Sequence, residues 1–182
     1  MTAKDAETGA DSRRDLSVSL NKLGDLEIDA GDVPTARAHF DRALGLREAL
    51  AAADPTDARA QRDLAVTLSL FGDLEVEKGT TSAARGHYRR ALEIREALAA
   101  EDPSGVQPSR DLYLSQDDLG YLEEMAGNLL AARNHYERAL KLAEAAYAAD
   151  KTSARAQGDL SSALDRLGYV EVQAGDLPAA RD

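Results

Sequence analysis

Three histidines are the residues whose type and spacing first suggest chemistry. They are the only histidines in the chain, and His39, His87 and His135 follow one another at intervals of 48 residues. Imidazole nitrogens ligate metals and transfer protons near neutral pH. A metal site needs ligands that converge within a few ångströms, whereas equivalent positions on packed helices lie about 10 Å apart. We therefore predict no metal site here and expect ordinary surface or inter-repeat polar contacts.

Other kinds of catalytic chemistry find no support in the sequence. The chain has no cysteine, which excludes thiolate nucleophiles, disulfides and cysteine-based zinc sites. No glycine-rich phosphate loop and no nucleophile elbow are present. Carboxylates are abundant, but acid–base catalysis needs a pair of them in a partly desolvated pocket, and nothing in the sequence predicts such a pocket. We expect a protein that is not an enzyme and that has no cofactor.

The charge of the chain narrows the choice of partner. Asp and Glu number 33 against 22 Lys and Arg, which gives a net charge of −11 at neutral pH. Such a field repels nucleic-acid phosphates and anionic membranes, so we predict neither as a partner. No apolar run reaches the roughly 18 residues of a membrane span, and the first residues lack the apolar core of a secretory signal. We expect a cytoplasmic protein.

A repeat of 48 residues organises the chain. The segment "RDLSVSLNKLGDLE" at 14–27 returns without gaps at 62–75, 110–123 and 158–171, and "ARAHFDRALGLREAL" at 36–50 returns at 84–98 and 132–146. In each half the apolar residues recur with the spacing of one helical face, as in the set Leu16, Leu20 and Leu23. Gly31 and Asp32 between the halves suit a helix C-terminus and an N-cap. Each repeat is therefore predicted to be a hairpin of two helices, which we call helix A and helix B.

A glycine in the middle of every helix A needs an explanation, because glycine costs a helix about 1 kcal/mol relative to alanine. In a hairpin that turns at Asp32, residues equally distant from the turn face each other, which places Gly24 opposite Phe40. The missing side chain would let the helices approach and would seat the ring. The same argument pairs Gly72 with Tyr88 and Gly120 with Tyr136, and Gly168 occupies the equivalent position in the fourth repeat.

These residues resemble the tetratricopeptide repeat, whose pattern is W-x2-L-G-x2-Y followed by A-x3-F and a further Ala. The matching residues are Leu23-Gly24, Ala36, Phe40 and Ala43; Phe71-Gly72, Ala84, Tyr88 and Ala91; and Leu119-Gly120, Ala132, Tyr136 and Ala139. Two departures are the period of 48 rather than 34, which resembles the longer helices of kinesin light chain, and the tryptophan position, which holds Leu20, Leu68, Gln116 and Leu164. In a third, the tyrosine position holds glutamate throughout: Glu27, Glu75, Glu123 and Glu171.

The resemblance covers residues 13–182 and implies an all-α solenoid of αα-hairpins with a right-handed superhelix. We predict a disordered polar tail at 1–12, repeats at about 13–55, 56–103 and 104–151, and an incomplete fourth repeat at 152–182. The helix B of that fourth repeat is cut at "DLPAARD", so the apolar face of Leu160, Leu164, Leu167 and Val170 would lose most of its partner. Either the chain is a segment of a longer repeat protein or another chain covers this end.

Charged residues also recur in pairs that are mirror-related about the turn. We predict ion pairs within each hairpin between the recurring glutamate and arginine, namely Glu27–Arg37, Glu75–Arg85, Glu123–Arg133 and Glu171–Arg181. A second predicted set, nearer the far ends of the helices, is Asp15–Arg47 and Asp63–Arg95. Such pairs contribute about 0–1 kcal/mol each when exposed, so their value would lie in fixing which helices pair.

The resemblance further implies which surface binds. Helix A lines the concave groove in the family, and the equivalent positions here form what we call the helix-A face: Asn21, Asp25, Asp29, Ser69, Asp73, Glu77, Asp117, Tyr121, Met125, Asp165, Tyr169 and Gln173. This face is acidic, with two tyrosines as aromatic anchors, and it lacks the Lys/Asn clamp by which some members hold a peptide carboxylate. It is either a binding groove or simply a solvated face.

Taken together, the sequence favours a non-enzymatic scaffold that binds a basic or basic-apolar protein segment on the helix-A face. The alternative is a structural or regulatory repeat segment of a larger signalling protein, acting through intramolecular contacts or self-assembly. In that case the uncapped C-terminal repeat would form a homo-oligomer.

Overall fold

The computed structural model describes residues 3–175, and this range is all-α. Its seven helices are α1 (Ala3–Asp29), α2 (Val33–Ala53), α3 (Ala58–Glu77), α4 (Thr81–Glu101), α5 (Val106–Met125), α6 (Leu129–Ala149) and α7 (Ala154–Gln173). The odd-numbered helices are the predicted helices A, and they end at Asp29, Glu77, Met125 and Gln173, each 48 residues after the last. The all-α repeat of helical hairpins is thus the observed fold.

The turns within the hairpins share one backbone geometry. Gly31 has φ 80°, and Gly79, Gly127 and Gly175 have φ of 73°, 75° and 80°, a conformation that glycine adopts without strain. At the first turn the Asp32 N–H donates to the Glu27 carbonyl at 2.8 Å and the Gly31 N–H to that of Ile28 at 2.9 Å. This is a Schellman ending, which satisfies the last carbonyls of helix A before helix B begins.

The predicted N-cap role holds at one of the three described turns. Asp32 accepts from the Thr35 N–H at 3.1 Å. Thr80 instead donates its hydroxyl to the Glu75 carbonyl at 2.9 Å, and Asn128 donates its side-chain amide to Glu123 at 2.7 Å. These two residues therefore hold the recurring glutamate rather than capping the following helix.

The chain divides into two compact units, residues 1–94 and 95–182. In unit 1 the core joins Ala36, Phe40, Phe71 and Leu74 to a second cluster that includes Leu64 and Leu68. In unit 2 it contains Tyr113, Ala139, Ala143 and Ala163, together with Ala132, Tyr136 and Val170. Small residues on helix B allow the aromatic rings to reach helix A, which is why a chain with 4% aromatic residues still builds a core.

The ends of the chain differ in what is described. Helix α1 begins at Ala3, so the described part of the segment predicted to be a disordered tail (1–12) is helical instead. The segment contains no proline, and acidic residues near its start favour the positive end of a helix dipole, so nothing local stops the helix. The truncated helix B of the fourth repeat, residues 176–182, lies outside the described residues. No described helix has the length and apolarity needed to cross a membrane.

Candidate partner-binding surface

The mid-helix glycines lie against aromatic rings of helix B. A Cβ built on Gly120 would lie 2.5 Å from Cε1, 2.6 Å from Cδ1 and 3.0 Å from Cζ of Tyr136, and equally close contacts join Gly24 to Phe40 and Gly72 to Tyr88. The rings are 0–3% exposed. Gly168 is half-buried in α7. The close approach of the two helices therefore depends on the absence of a side chain.

The tyrosine hydroxyls add a contact that the sequence analysis missed. Tyr88 donates to Asp73 at 2.6 Å, and Tyr136 donates to Glu124 at 2.7 Å. Burial, followed by the hydrogen bond to Glu124, raises the pKa of Tyr136, so it stays neutral. The signal in the sequence was the tyrosine that replaces Phe40 in the second and third repeats, since a buried phenol needs a partner.

The recurring ion pairs join neighbouring repeats, not the two helices of one hairpin, so the predicted pairing was wrong. Arg37 binds Glu75 at 2.6 Å instead of Glu27, and Arg133 binds Glu171 at 3.4 Å instead of Glu123. Glu75 takes Arg37, Lys78 and Thr80 as partners, where Arg85 was expected. Arg181 lies outside the described residues. The mirror argument gives the height of a residue along the helix, but helix B has a helix A on each side.

The second predicted set is displaced in the same way. Arg47 binds Asp63 of the next helix A, not Asp15, and the Arg14 guanidinium lies 3.3 Å from the same carboxylate. Arg95 donates to Ser115 at 2.6 Å, whereas Asp63 was its expected partner. Arg47 is 3% exposed, so this contact is part of the core and not a surface pair.

In unit 1 the helix-A face forms an acidic recess of about 200 Å³. Carboxylates of α1 and α3 surround it, and its remaining lining is apolar; the residues are Asp25, Ile28, Asp29, Phe40, Leu70, Asp73, Leu74 and Glu77. Two predicted members of the face lie elsewhere. Asn21 donates to Thr67 at 3.1 Å and links the two helices A, and Ser69 is half-buried.

The carboxylates of this recess influence one another. Partial desolvation raises the pKa of Asp25, and the neighbouring Asp29 carboxylate raises it further. Both effects disfavour a second negative charge, and a cation placed between these groups would relieve them. The lining residues include no cation. The recess is therefore suited to a positively charged group.

In unit 2 the helix-A face has mixed character. A wider recess of about 490 Å³ is lined by Tyr113, Asp117, Glu124, Ser162, Asp165, Arg166 and Tyr169. The Arg166 guanidinium lies 5.1 Å from the centre of the Tyr121 ring and 3.7 Å from Asp117. Burial raises the pKa of Asp117, an effect that Arg166 opposes and Glu124 increases. The sequence analysis placed Asp117 on this face but overlooked Arg166, which partly neutralises it.

The remaining predicted members of the face are largely exposed. Met125 is 56% and Tyr169 52% exposed, and Gln173 donates to the Tyr169 hydroxyl at 2.8 Å. Exposed sulfur and aromatic groups at this density provide apolar contact area for a partner.

The histidines make the kind of local contacts that were expected. The His87 ring stacks on Phe71 at a centroid distance of 5.2 Å, and His135 Nδ1 lies 2.8 Å from the Gln116 amide oxygen. Burial lowers the pKa of His87, against the opposing effect of Glu75. Among the described residues, no group of three or more histidine or acidic side chains is placed to hold a metal ion.

Comparison with known proteins agrees with this architecture. Residues 15–97 match the tetratricopeptide repeat family model. BtubC (BKLC) from P. vanneervenii superposes with a TM-score of 0.69 at 22% identity, covering 91% of this chain. The chain spans 59% of the length of that protein. A de novo designed helical repeat protein gives a TM-score of 0.41 at 15% identity, covering 98% of this chain and 88% of the design.

The comparison with curated proteins found no match. Tetratricopeptide repeats generally mediate protein–protein interactions. The match over residues 15–97 and the likeness to BtubC support the tetratricopeptide repeat family, and the fold of the chain is that of an all-α helical repeat protein.

Proposed function

We propose that the chain is a tetratricopeptide repeat scaffold, without enzymatic activity, whose helix-A face binds a basic or basic-apolar segment of a partner protein. The observation that carries the proposal is the recess of unit 1, where four carboxylates surround an apolar floor. The helices of 20 or 21 residues from α2 to α7 favour the long-helix variant of the repeat.

The recess fits a lysine or arginine side chain in both of its parts. The stem of such a side chain is apolar and would pack on Ile28 and Leu70, while its charged head would reach Asp25 and Glu77. The net charge of −11 would increase the rate of encounter with a basic partner. Neighbouring residues of the partner would then align along α1 and α3.

Unit 2 supplies a different contact. The face of the Tyr121 ring already holds the guanidinium of Arg166, so it accepts a cation, and Tyr169 and Met125 are exposed beside it on the same face. A partner segment with both basic and apolar residues would match these groups better than a uniformly basic one.

A charge-reversal experiment tests the proposal. Asp25→Lys, Asp29→Lys and Glu77→Lys in one variant reverse the recess of unit 1 and spare Asp73, which holds Tyr88. Binding of fluorescent peptides of about ten residues, rich in Lys, Arg and Leu, is measured by anisotropy. We expect binding that weakens with added salt and falls at least tenfold in the variant.

The matched control reverses the same number of charges elsewhere. Glu93, Glu96 and Glu144 are exposed and lie outside the recess, so their replacement by lysine changes net charge equally. This control should lose little more than the general electrostatic attraction. Equal loss in both variants, or peptide binding that ignores the recess variant, would contradict the proposal.

Self-assembly is the second candidate, and one observation favours it. Helix α1 exposes Leu16, Leu23 and Leu26 at 45%, 43% and 62%, although the first two were predicted to face a core with Leu20. The spacing places them on one side of the helix, which is an unpartnered apolar stripe in the described structure. Light scattering after size exclusion should then show a concentration-dependent oligomer that Leu23→Lys with Leu26→Glu dissolves. A monomer at all concentrations would exclude this candidate.

A further inference from the structure

A cavity of about 300 Å³ in unit 2 lies apart from the helix-A face. The C-terminal half of α6 and the first turns of α5 and α7 form it, and we call it the α6 cavity. Its lining is predominantly apolar and includes Tyr113, Leu142, Ala143, Ala146 and Ala149, while Arg110 and Asp159 provide charged groups. Burial raises the pKa of Tyr113 to about 12, so that wall is neutral.

The repeat itself explains why the space is empty. Ala143 occupies the position of Arg47 in the first repeat, and Ala146 that of Leu50. In unit 1 these larger side chains are 3% and 6% exposed and fill the equivalent space. The third repeat has lost both, so the cavity has the size and lining that a long side chain with an apolar stem leaves behind.

The acidic partner of the lost arginine is still present. In unit 1 the Asp63 carboxylate binds two guanidiniums, those of Arg47 and Arg14. Its equivalent, Asp159, binds one among the described residues, that of Arg110, at 3.0 and 3.4 Å. A carboxylate offers about four acceptor positions, so Asp159 retains capacity for a second guanidinium on the cavity side.

We propose that the α6 cavity binds an arginine side chain presented by a protein segment. The stem would lie along Ala143, Ala146 and Tyr113, and the guanidinium would bind Asp159 as Arg47 binds Asp63. The site lies outside the helix-A face and does not depend on the function proposed for that face.

Two differences from unit 1 set the expected strength. Ser153 stands where Asp57 binds Arg14, so one carboxylate is absent, and Arg155 stands exposed at the cavity as Arg59 does in the first repeat. With one carboxylate to bind, a single capped arginine should have a Kd in the millimolar range, and the rest of a partner would add affinity.

The test uses the full chain and Nα-acetyl-arginine-N-methylamide as the probe, followed by amide chemical shifts in NMR titrations. We expect the shifts to centre on Gly105, Tyr113, Ala143 and Ala146. The citrulline analogue keeps the stem and removes the charge, so it should bind at least tenfold more weakly. Equal affinity for both probes, no saturable binding, or shifts centred elsewhere would overturn the proposal.

Substitutions locate the site independently. Ala143→Arg should fill the cavity from within, as Arg47 does in unit 1, and abolish probe binding. Ala148→Arg is the matched control, because Ala148 lies on the same helix but is exposed and outside the cavity. It should bind the probe as the parent does. A folded Ala143→Arg that still binds would refute the site.

Should Ala143→Arg fail to fold, Asp159→Asn decides the question. It removes the charge of the acceptor and leaves the cavity walls in place, so arginine binding should fall at least tenfold, to the level of the citrulline analogue. Retained preference for arginine over citrulline in this variant would also overturn the proposal. Because the charge reversals of the helix-A face do not touch this cavity, the two proposals fail or succeed separately.

Discussion

Replacing Gly120 by alanine tests the contact on which each hairpin depends. The new Cβ would lie 2.5 to 3.0 Å from three atoms of the Tyr136 ring, well inside van der Waals contact. The ring is 0% exposed and its hydroxyl is tied to Glu124 at 2.7 Å. The ring cannot turn aside without leaving its packing and losing that hydrogen bond, so the two helices must separate instead.

Two opposing effects set the magnitude. Overpacking of a filled core costs about 1–3 kcal/mol, and the anchored ring places this site at the upper end. Alanine recovers about 1 kcal/mol of helix propensity. The free energy of unfolding should therefore decrease by about 2 kcal/mol, which for a chain of this size lowers Tm by about 4–8 °C.

Gly158→Ala is the control, since a Cβ at Gly158 meets nothing within 4 Å in helix α7. It should stabilise by roughly 0.5–1 kcal/mol. Urea unfolding followed by circular dichroism measures both variants. If Gly120→Ala is as stable as Gly158→Ala, glycine is not needed for the ring. If Gly120→Ala costs the same when Tyr136 is also replaced by leucine, the ring is not the cause.

Two further measurements address pairing and pH. A double-mutant cycle on Arg37→Ala and Glu75→Ala should give a coupling energy of about 1 kcal/mol, because Glu75 is buried where Arg37 reaches it; the same cycle with Glu27 should give none, and the reverse result would restore pairing within the hairpin. Burial lowers the pKa of His87 from its ordinary 6.5, so the unfolded chain binds the proton more readily and the free energy of unfolding should fall as pH decreases through about 6.5. His87→Gln should remove that part of the pH dependence in urea unfolding, and an unchanged profile would show that the ring does not titrate differently on folding.

Helix boundaries and the contacts inside a hairpin could be predicted from sequence because both depend on short-range rules. The turn glycines end helix A at a fixed place, and from there the symmetry of an antiparallel pair sets Gly24 opposite Phe40. No knowledge of other repeats was required. The helical start at Ala3 was missed since polar composition alone does not prevent a helix.

Contacts between repeats were beyond the same reasoning. Arg37 and Arg47 were placed at the correct height but assigned to the wrong neighbour, as each helix B has a helix A on both sides. Resolving this choice needs the rotation of helix B about its own axis, to within one side-chain position. Hydrophobic periodicity does not define the rotation that closely when small alanines and large aromatics share the buried face.

The positions where the repeats differ carry the chemistry that remains for a partner. The recurring residues satisfy one another: glycine seats a ring, and Glu75 and Glu171 hold arginines of the preceding helix B. One surface position of helix A instead changes along the chain, from Asp25 and Asp73 to Tyr121 and Tyr169. A partner with a uniform sequence could match only one half of this series. We therefore expect a partner whose basic residues meet unit 1 and whose apolar or aromatic residues meet unit 2, and peptides with that composition in separate blocks should bind more tightly than peptides with the same residues evenly mixed.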